Sequence, residues 1–366
     1  MLSGKMAPLL KKQDWLLNGS VFFLAAVSLI ALSSINQSLF IQQLIWFAFG
    51  FLAIFIFSRI DWRPIVNYKW IIFGLYLFSI VLLIITYFLA PAIRGTHSWL
   101  VIGPAQIQTS EFAKLALIIL LASFFAKRHV GIARSSVIFK SFLYFVIPFG
   151  FILIQPDLGS ALIIFTIWLG FLLVSGIRWR HLLIGFLIFI FLAFLGWNNL
   201  LRNYQKDRIV AFLNPEFSPL GINYGVIQSK IAVGSAGFFG KGYGQGTQVQ
   251  LGFLPEAGTD FVFPAFIEEW GLFGGILIVG VFIFLLFRIV NIGINCQNNF
   301  SKLICLGTVI MFLTQFFINV GSALGLLPVV GVTFPFFSYG GSSILVNSAL
   351  IGIIQGIVVR KTFLKD

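Results

Sequence analysis

From Trp15 to Ser58 the chain carries no charged residue. Roughly 20 apolar residues of helix cross the hydrocarbon layer of a bilayer, so this run is about twice the length of one span. Its polar interruption is Ser33-Ser34-Ile35-Asn36-Gln37-Ser38, near the middle. A helical hairpin in lipid satisfies both facts, because in hydrocarbon every backbone polar group must be bonded within the protein. Composition extends the conclusion to the whole chain: 366 residues, 59% hydrophobic, 10% charged, 45 of them Phe, with mean hydropathy +1.02. Soluble domains are about half apolar and one quarter charged, which excludes a water-soluble fold. The opening does not read as a cleaved signal, since its first apolar stretch continues into a second.

Further charge-free runs give single spans at about Trp70 to Ala90, Phe112 to Ala126, Ile138 to Gln155, Leu158 to Gly176, Leu182 to Asn198 and Phe261 to Phe287. The last run, Leu303 to Val359, is too long for one helix and is broken by Pro328, Pro335 and Gly340-Gly341. It reads as two helices around a re-entrant loop. The expectation is an all-α polytopic membrane protein of about ten spans, forming a single domain over 1–366.

Charge sets the orientation. The net charge of +13 would suggest nucleic acid in a soluble protein. With both termini cytoplasmic, however, most basic residues fall in inner segments, as the positive-inside rule requires, and no nucleic acid is needed. Of the acids, Asp14, Asp61 and Asp366 fall inside, while Glu111, Asp157, Asp207, Glu216, Glu256, Asp260, Glu268 and Glu269 fall on or near the outer face. Chemistry that needs carboxylates is therefore expected outside. There too lies the longest polar segment, 199–260, a loop between the seventh and eighth spans.

Several motifs carry two readings. Gly234 to Gly246 contains Gly240-Lys241-Gly242, but its spacing is neither that of a phosphate-binding P-loop nor GxGxxG. What remains is a loop whose N–H groups and Lys241 could approach a phosphate. Thr259-Asp260 is either a helix N-cap or a carboxylate held at the lipid boundary as a general base. Glu268 and Glu269 stand two turns into the next helix, where an unpaired charge is expensive. Glu111 and Lys114, three apart, form either a structural ion pair or part of an anionic head-group site. Asp157, in Gln155-Pro156-Asp157, is either a cap or a site residue. Cys296 and Cys305 form no CxxC pair, and His97, His129 and His181 make neither a metal cluster nor a catalytic set with Ser and Asp.

In order along the chain stand Gly95-Thr-His-Ser-Trp99, Gln108 to Lys114, Gln155 to Ser160, Asn203 to Arg208, Ile227 to Gly234, Gly240 to Phe261, Glu268-Glu269-Trp-Gly271, Asn319-Val-Gly321 and Pro335 to Ser342. Through these the chain resembles the SEDS family (shape, elongation, division and sporulation), and most closely its elongation members. The resemblance implies a ten-helix peptidoglycan glycosyltransferase that polymerises lipid II into β-1,4-linked glycan and releases undecaprenyl pyrophosphate. It assigns the catalytic base to Asp260. Glu111, Lys114, Asp157, Arg208, Lys230, Lys241, Glu256, Glu268 and Glu269 form the expected substrate-binding set, with Arg208 and Lys230 favoured for the pyrophosphate. The family pattern has His where this chain has Gly258. No metal ligands are expected, although a divalent cation, Mg or Mn, could accompany the pyrophosphate. Expected partners are lipid II, the growing lipid-linked glycan, a class B penicillin-binding protein transpeptidase and other elongation-complex membrane proteins. A lipid II flippase and a noncatalytic scaffold are the alternatives.

Overall fold

The computed structural model describes residues 12–65, 67–91, 96–103, 105–127, 135–177, 179–181, 183, 187, 203–214 and 218–362. Its first two helices, α1 (Trp15–Ile35) and α2 (Gln37–Arg59), form the hairpin expected from the charge-free run. Asn36 makes the turn: its backbone N–H closes α1 on Leu32, and its side chain accepts from Ser38 and Leu39 to cap α2. The bundle thus has an Asn36 end and an Arg59 end.

A short helix, α3 (Trp62–Ile65), leads to α4 (Lys69–Leu89) and then to α5 (Thr109–Ala126), α6 (Ser135–Ile154) and α7 (Leu158–Val174). After them come α8 (Asn203–Leu213), α9 (Tyr224–Ser235), α10 (Thr247–Gln250), α11 (Val262–Ile294), α12 (Asn299–Ala323) and α13 (Gly341–Thr362). Among the described residues eight helices are long and apolar enough to cross a membrane, and α7 is a shorter apolar one. The expected span Leu182 to Asn198 falls outside the described residues.

Burial sorts these helices. In α5 and α13 most of the spanning window is buried, 83% and 89%, whereas in α2, α4 and α6 the share is 22%, 33% and 28%. A helix apolar all round and buried all round belongs at the centre, so α5 and α13 form the axis and the others turn wide apolar faces outward. Trp70 and Phe88, 88% and 76% exposed, are such outward residues. Around the axis, α13 packs along α2, α12 lies between α5, α7 and α11, and α1 packs on α11.

The segment 324–340 fits the re-entrant reading. Phe334, Phe336 and Phe337 are buried in it, and Phe334 packs on Phe282 and Phe316 with ring centroids 5.1 and 5.2 Å away. From the hairpin, Ser28 Oγ donates to Phe337 O (2.7 Å) and Gln43 Nε2 to Ser338 O (3.1 Å).

Two features depart from the sequence reading. A two-stranded antiparallel hairpin, β1 (Trp99–Ile102) and β2 (Ala105–Gln108), stands between α4 and α5 in register Trp99↔Gln108, turning at Gly103 with φ +59°. Four-residue strands are too short to leave an alternating pattern. And α11 is broken at Gly271 (φ 75°, ψ 179°), where the sequence reads as one span.

At the Arg59 end, Asp14 caps α1 through Leu17 N and holds Arg288 of α11 at 2.7 Å. Gln355 of α13 exchanges two hydrogen bonds with the Asp14 backbone.

Candidate functional site

The carboxylates that the sequence marks out converge, where they are described, on the Asn36 end of the bundle. Asp260 closes a compact turn. Within it Thr259 N and Phe261 N both donate to Glu256 O (3.0 and 3.2 Å), and Glu256 takes a left-handed φ of 50°. Glu256 is exposed, and its carboxylate accepts from Thr259 Oγ1 at 3.0 Å. The turn rests on a small apolar cluster of Leu254, Ala257, Phe261, Ala265 and Ala323. Tyr339 N donates to Gly258 O (2.9 Å) and Asn319 Nδ2 to Asp260 O (3.2 Å), tying the turn to the rest of the protein. The N-cap of α11 is Phe261, and no side chain caps it. The N-cap position thus falls on Phe261 rather than on Thr259 or Asp260, and Asp260 is partly exposed.

The break in α11 explains the buried Glu268 and Glu269. Interrupting a helix frees carbonyls before the break and N–H groups after it, and buried ones need partners. The loop 237–242 supplies them. Lys241 N and Gly242 N donate to Glu268 O and Glu269 O (2.9 Å each), while Leu272 N and Phe273 N donate to Gly237 O and Phe238 O (3.1 and 3.0 Å). The two glycines at the crossing allow it: a Cβ on Gly240 would stand 2.2 Å from Glu269 O, and one on Gly271 2.2 Å from Phe238 O. The same dock brings the Lys241 ammonium to Glu268 Oε1 at 2.7 Å, a carboxylate that also accepts from Thr247 Oγ1 and Gln248 N. Glu269 accepts from Ser34 Oγ, and Gln250 Nε2 reaches Ser34 O. Glu268, Glu269 and Lys241 thus fasten the loop to α11 and to the α1–α2 turn, and the Lys241 charge is compensated by Glu268.

Deeper in the bundle, Lys114 Nζ meets Glu111 Oε1 at 2.6 Å with both side chains almost wholly buried. Asp157 accepts from Ser160 N (3.0 Å), capping α7, and its other oxygen accepts from Gln108 Nε2 (2.9 Å) and Ser110 Oγ (3.3 Å). The capping reading of Asp157 holds, and its second oxygen joins the turn before α7 to the start of α5. His97, isolated in the sequence, is brought to this turn, its N–H donating to Gln155 O.

Lys230 is exposed on α9. Its Nζ lies over Gly325, just past α12, and Ser229 Oγ donates to Ala323 O (2.6 Å). On the same helix Gly225 packs against the Phe261 ring, next to Asp260, so Lys230 stands about 7.5 Å further along α9 by the helical rise. The Arg208 side chain lies outside the described residues. Ser34, Gln108, Gln250, Asn319 and Tyr339 stand in stretches singled out in the sequence but carry no assigned role there, because they are uncharged and their partners are distant in sequence. Among the described residues no three His, Cys, Asp or Glu gather where they could hold a metal ion.

With this geometry in hand, comparison with known proteins gives concordant matches. Residues 9–362 match the family of FtsW, RodA and SpoVE, described as cell cycle protein. Peptidoglycan glycosyltransferase MrdB of Escherichia coli (strain K12) is 36% identical over 299 residues, covering 79% of this chain and 78% of that protein. Among solved structures, a chain from a study of the structural coordination of polymerization and crosslinking by a peptidoglycan synthase complex superposes with a TM-score of 0.82. It is 32% identical, and the match covers 96% of this chain and 98% of the other. Thermus thermophilus rod shape determining protein RodA gives a TM-score of 0.70 at 28% identity, covering 97% and 98%.

Proposed function

From the premise that this chain belongs to the FtsW/RodA/SpoVE family, we propose that it is a peptidoglycan glycosyltransferase of the cell membrane that polymerises lipid II into β-1,4-linked glycan at the extracytoplasmic face. The relatives' names supply the activity. The observation that carries the assignment to a site is the Asp260 turn, which places a partly exposed acid just before α11, fixed through its backbone at the end of the bundle where Glu111, Lys114, Asp157 and Lys230 also lie.

In this reading Asp260 takes the proton from the 4-hydroxyl of the acceptor N-acetylglucosamine as that oxygen attacks the anomeric carbon of the lipid-linked donor. Undecaprenyl pyrophosphate leaves. Its developing charge needs a cation, and stabilisation of such charge is often the largest catalytic contribution. Lys230 suits that role better than Lys241, because Lys241 is already paired with Glu268. Glu111, Asp157, Glu256, Glu268 and Glu269 are engaged with Lys114, Ser160, Thr259, Lys241 and Ser34, which does not suit a resident metal. A divalent ion, if used, arrives with the pyrophosphate.

The Asn36 end is then extracytoplasmic, and the Arg59 end, with Arg59, Lys69 and Lys302, is cytoplasmic. A class B penicillin-binding protein is the proposed partner in elongation, supported by the synthase complex among the structural matches.

The test uses the purified protein in detergent or liposomes supplied with lipid II. Wild type is expected to build glycan polymer, and Asp260→Asn to lose at least about 100-fold in rate, the scale of general base catalysis, while still binding the lipid. Equal polymer from both defeats the assignment of Asp260, and translocation of lipid II without polymer would support a flippase.

A further inference from the structure

We propose that Asn319 is a positioning residue for Asp260, an inference that rests on the reading of Asp260 as the base. Asp260 is the second residue before α11, and in a continuous helical start its carbonyl would accept from the N–H four residues on. That residue is Pro264, which has none. Asn319, near the end of α12 and 1% exposed, supplies a donor. Its Nδ2 donates to Asp260 O at 3.2 Å and to Val332 O at 2.8 Å.

Both acceptors are carbonyl oxygens, so the amide is fixed in orientation: turned over, its own oxygen would face two others. The correct orientation leaves Oδ1 buried with no hydrogen-bond partner among the described residues. An apolar side chain would fill the same place without that unsatisfied acceptor. What accounts for an amide here is the pair of carbonyls that Nδ2 holds together. Val332 belongs to the segment 324–340, which also binds the turn through Tyr339 N and Gly258 O. The catalytic turn is therefore fixed to the re-entrant segment at two points, one on each side of Thr259, and Asn319 is the point that touches Asp260 itself. Asn319 touches no reacting atom in this scheme; it acts through the backbone of Asp260.

The experiment is steady-state polymerisation of lipid II by the purified full-length protein with Asn319→Ala and Asn319→Ser, alongside thermal unfolding of each. Displacement of a catalytic group by about 1 Å can cost about 100-fold. Asn319→Ala is accordingly expected to lower kcat about 10- to 100-fold with KM within about two-fold of wild type. Asn319→Ser, whose hydroxyl can still donate to one carbonyl, should recover part of the rate. The proposal is overturned by a kcat per folded molecule within about two-fold of wild type, by a rise in KM at unchanged kcat, or by a rate loss that only tracks the loss of folded protein. If the alanine variant does not fold, the serine variant is read by the same criteria. Asp260→Asn is run in parallel. Wild-type polymer from it refutes the reading of Asp260, whereas an inactive Asp260→Asn beside a fully active Asn319→Ala refutes only the positioning role.

Discussion

An ammonium group at 1% exposure inside a membrane bundle requires a partner, and for Lys114 it is Glu111, one turn earlier on α5. Removing one member of a buried pair strands the other, at a cost of about 3–5 kcal/mol, while replacing both by apolar residues is often close to neutral. Lys114→Met should therefore lower the thermal midpoint in detergent sharply, and Glu111→Leu with Lys114→Met should recover most of it; a double variant as unstable as the single one would mean that the pair is not the source. At Gly258 the scale is a single methyl group. A Cβ there would stand 2.8 Å from Leu39 Cδ1 and 3.2 Å from Leu32 Cδ2, so the histidine of the family pattern requires the Leu39 and Leu32 side chains of the α1–α2 hairpin to move. Overpacking of this kind costs about 1–3 kcal/mol. Gly258→His should lose that much stability and regain it when combined with Leu39→Ala, as measured by thermal unfolding. The Glu111–Lys114 pair was legible from spacing, because residues three apart share a helix face. The crowding at Gly258 was not, since Leu32 and Leu39 are distant in sequence and only the packed hairpin brings them there.

Among the elements, α11 is the one whose outline the sequence and the structure draw differently. Its hydropathy is continuous through Gly271, so the run reads as one span, and the break becomes visible only with the loop 237–242 that satisfies it. Gly271→Ala should be damaging for two reasons: a backbone at φ 75° and ψ 179° lies in a region essentially reserved to glycine and costs a residue with a Cβ about 1–3 kcal/mol, and the new methyl would meet Phe238 O. The expected outcome is a lower thermal midpoint together with faster protease cleavage between residues 236 and 246. Unchanged cleavage would mean that the loop does not depend on the break. Glu268 and Glu269 were legible as unusual, since acids at such a depth are costly, but their partners Lys241 and Ser34 were not. The β1–β2 hairpin escaped for a different reason, that four-residue strands carry too few positions for an alternating pattern. The larger loop contains helices α8, α9 and α10 rather than extended chain, in keeping with its aliphatic and aromatic content.

For the whole molecule, the proposed orientation makes a prediction independent of catalysis. Cys296 and Cys305 are buried, so replacing both by serine gives a background for cysteine scanning. In that background Phe239→Cys, at a position 79% exposed at the Asn36 end, should react with a membrane-impermeant maleimide added outside intact cells. Lys302→Cys, exposed beyond the start of α12 at the Arg59 end, should react only after the cells are opened. Labelling of both from one side would refute the topology. The sequence by itself determined the class of solvent, most of the span boundaries and the segregation of acids from bases, because transfer into lipid acts on each stretch of chain according to its own composition. The tertiary structure decided which acids are paired, that the N-cap position of α11 falls on Phe261, and that Asn319 and Tyr339 hold the Asp260 turn. Those outcomes depend on hydrogen bonds only a few ångströms long between residues as far apart in sequence as Ser34 and Glu269, or Gly258 and Tyr339. Such bonds have no local signature; they exist only once the helices have packed.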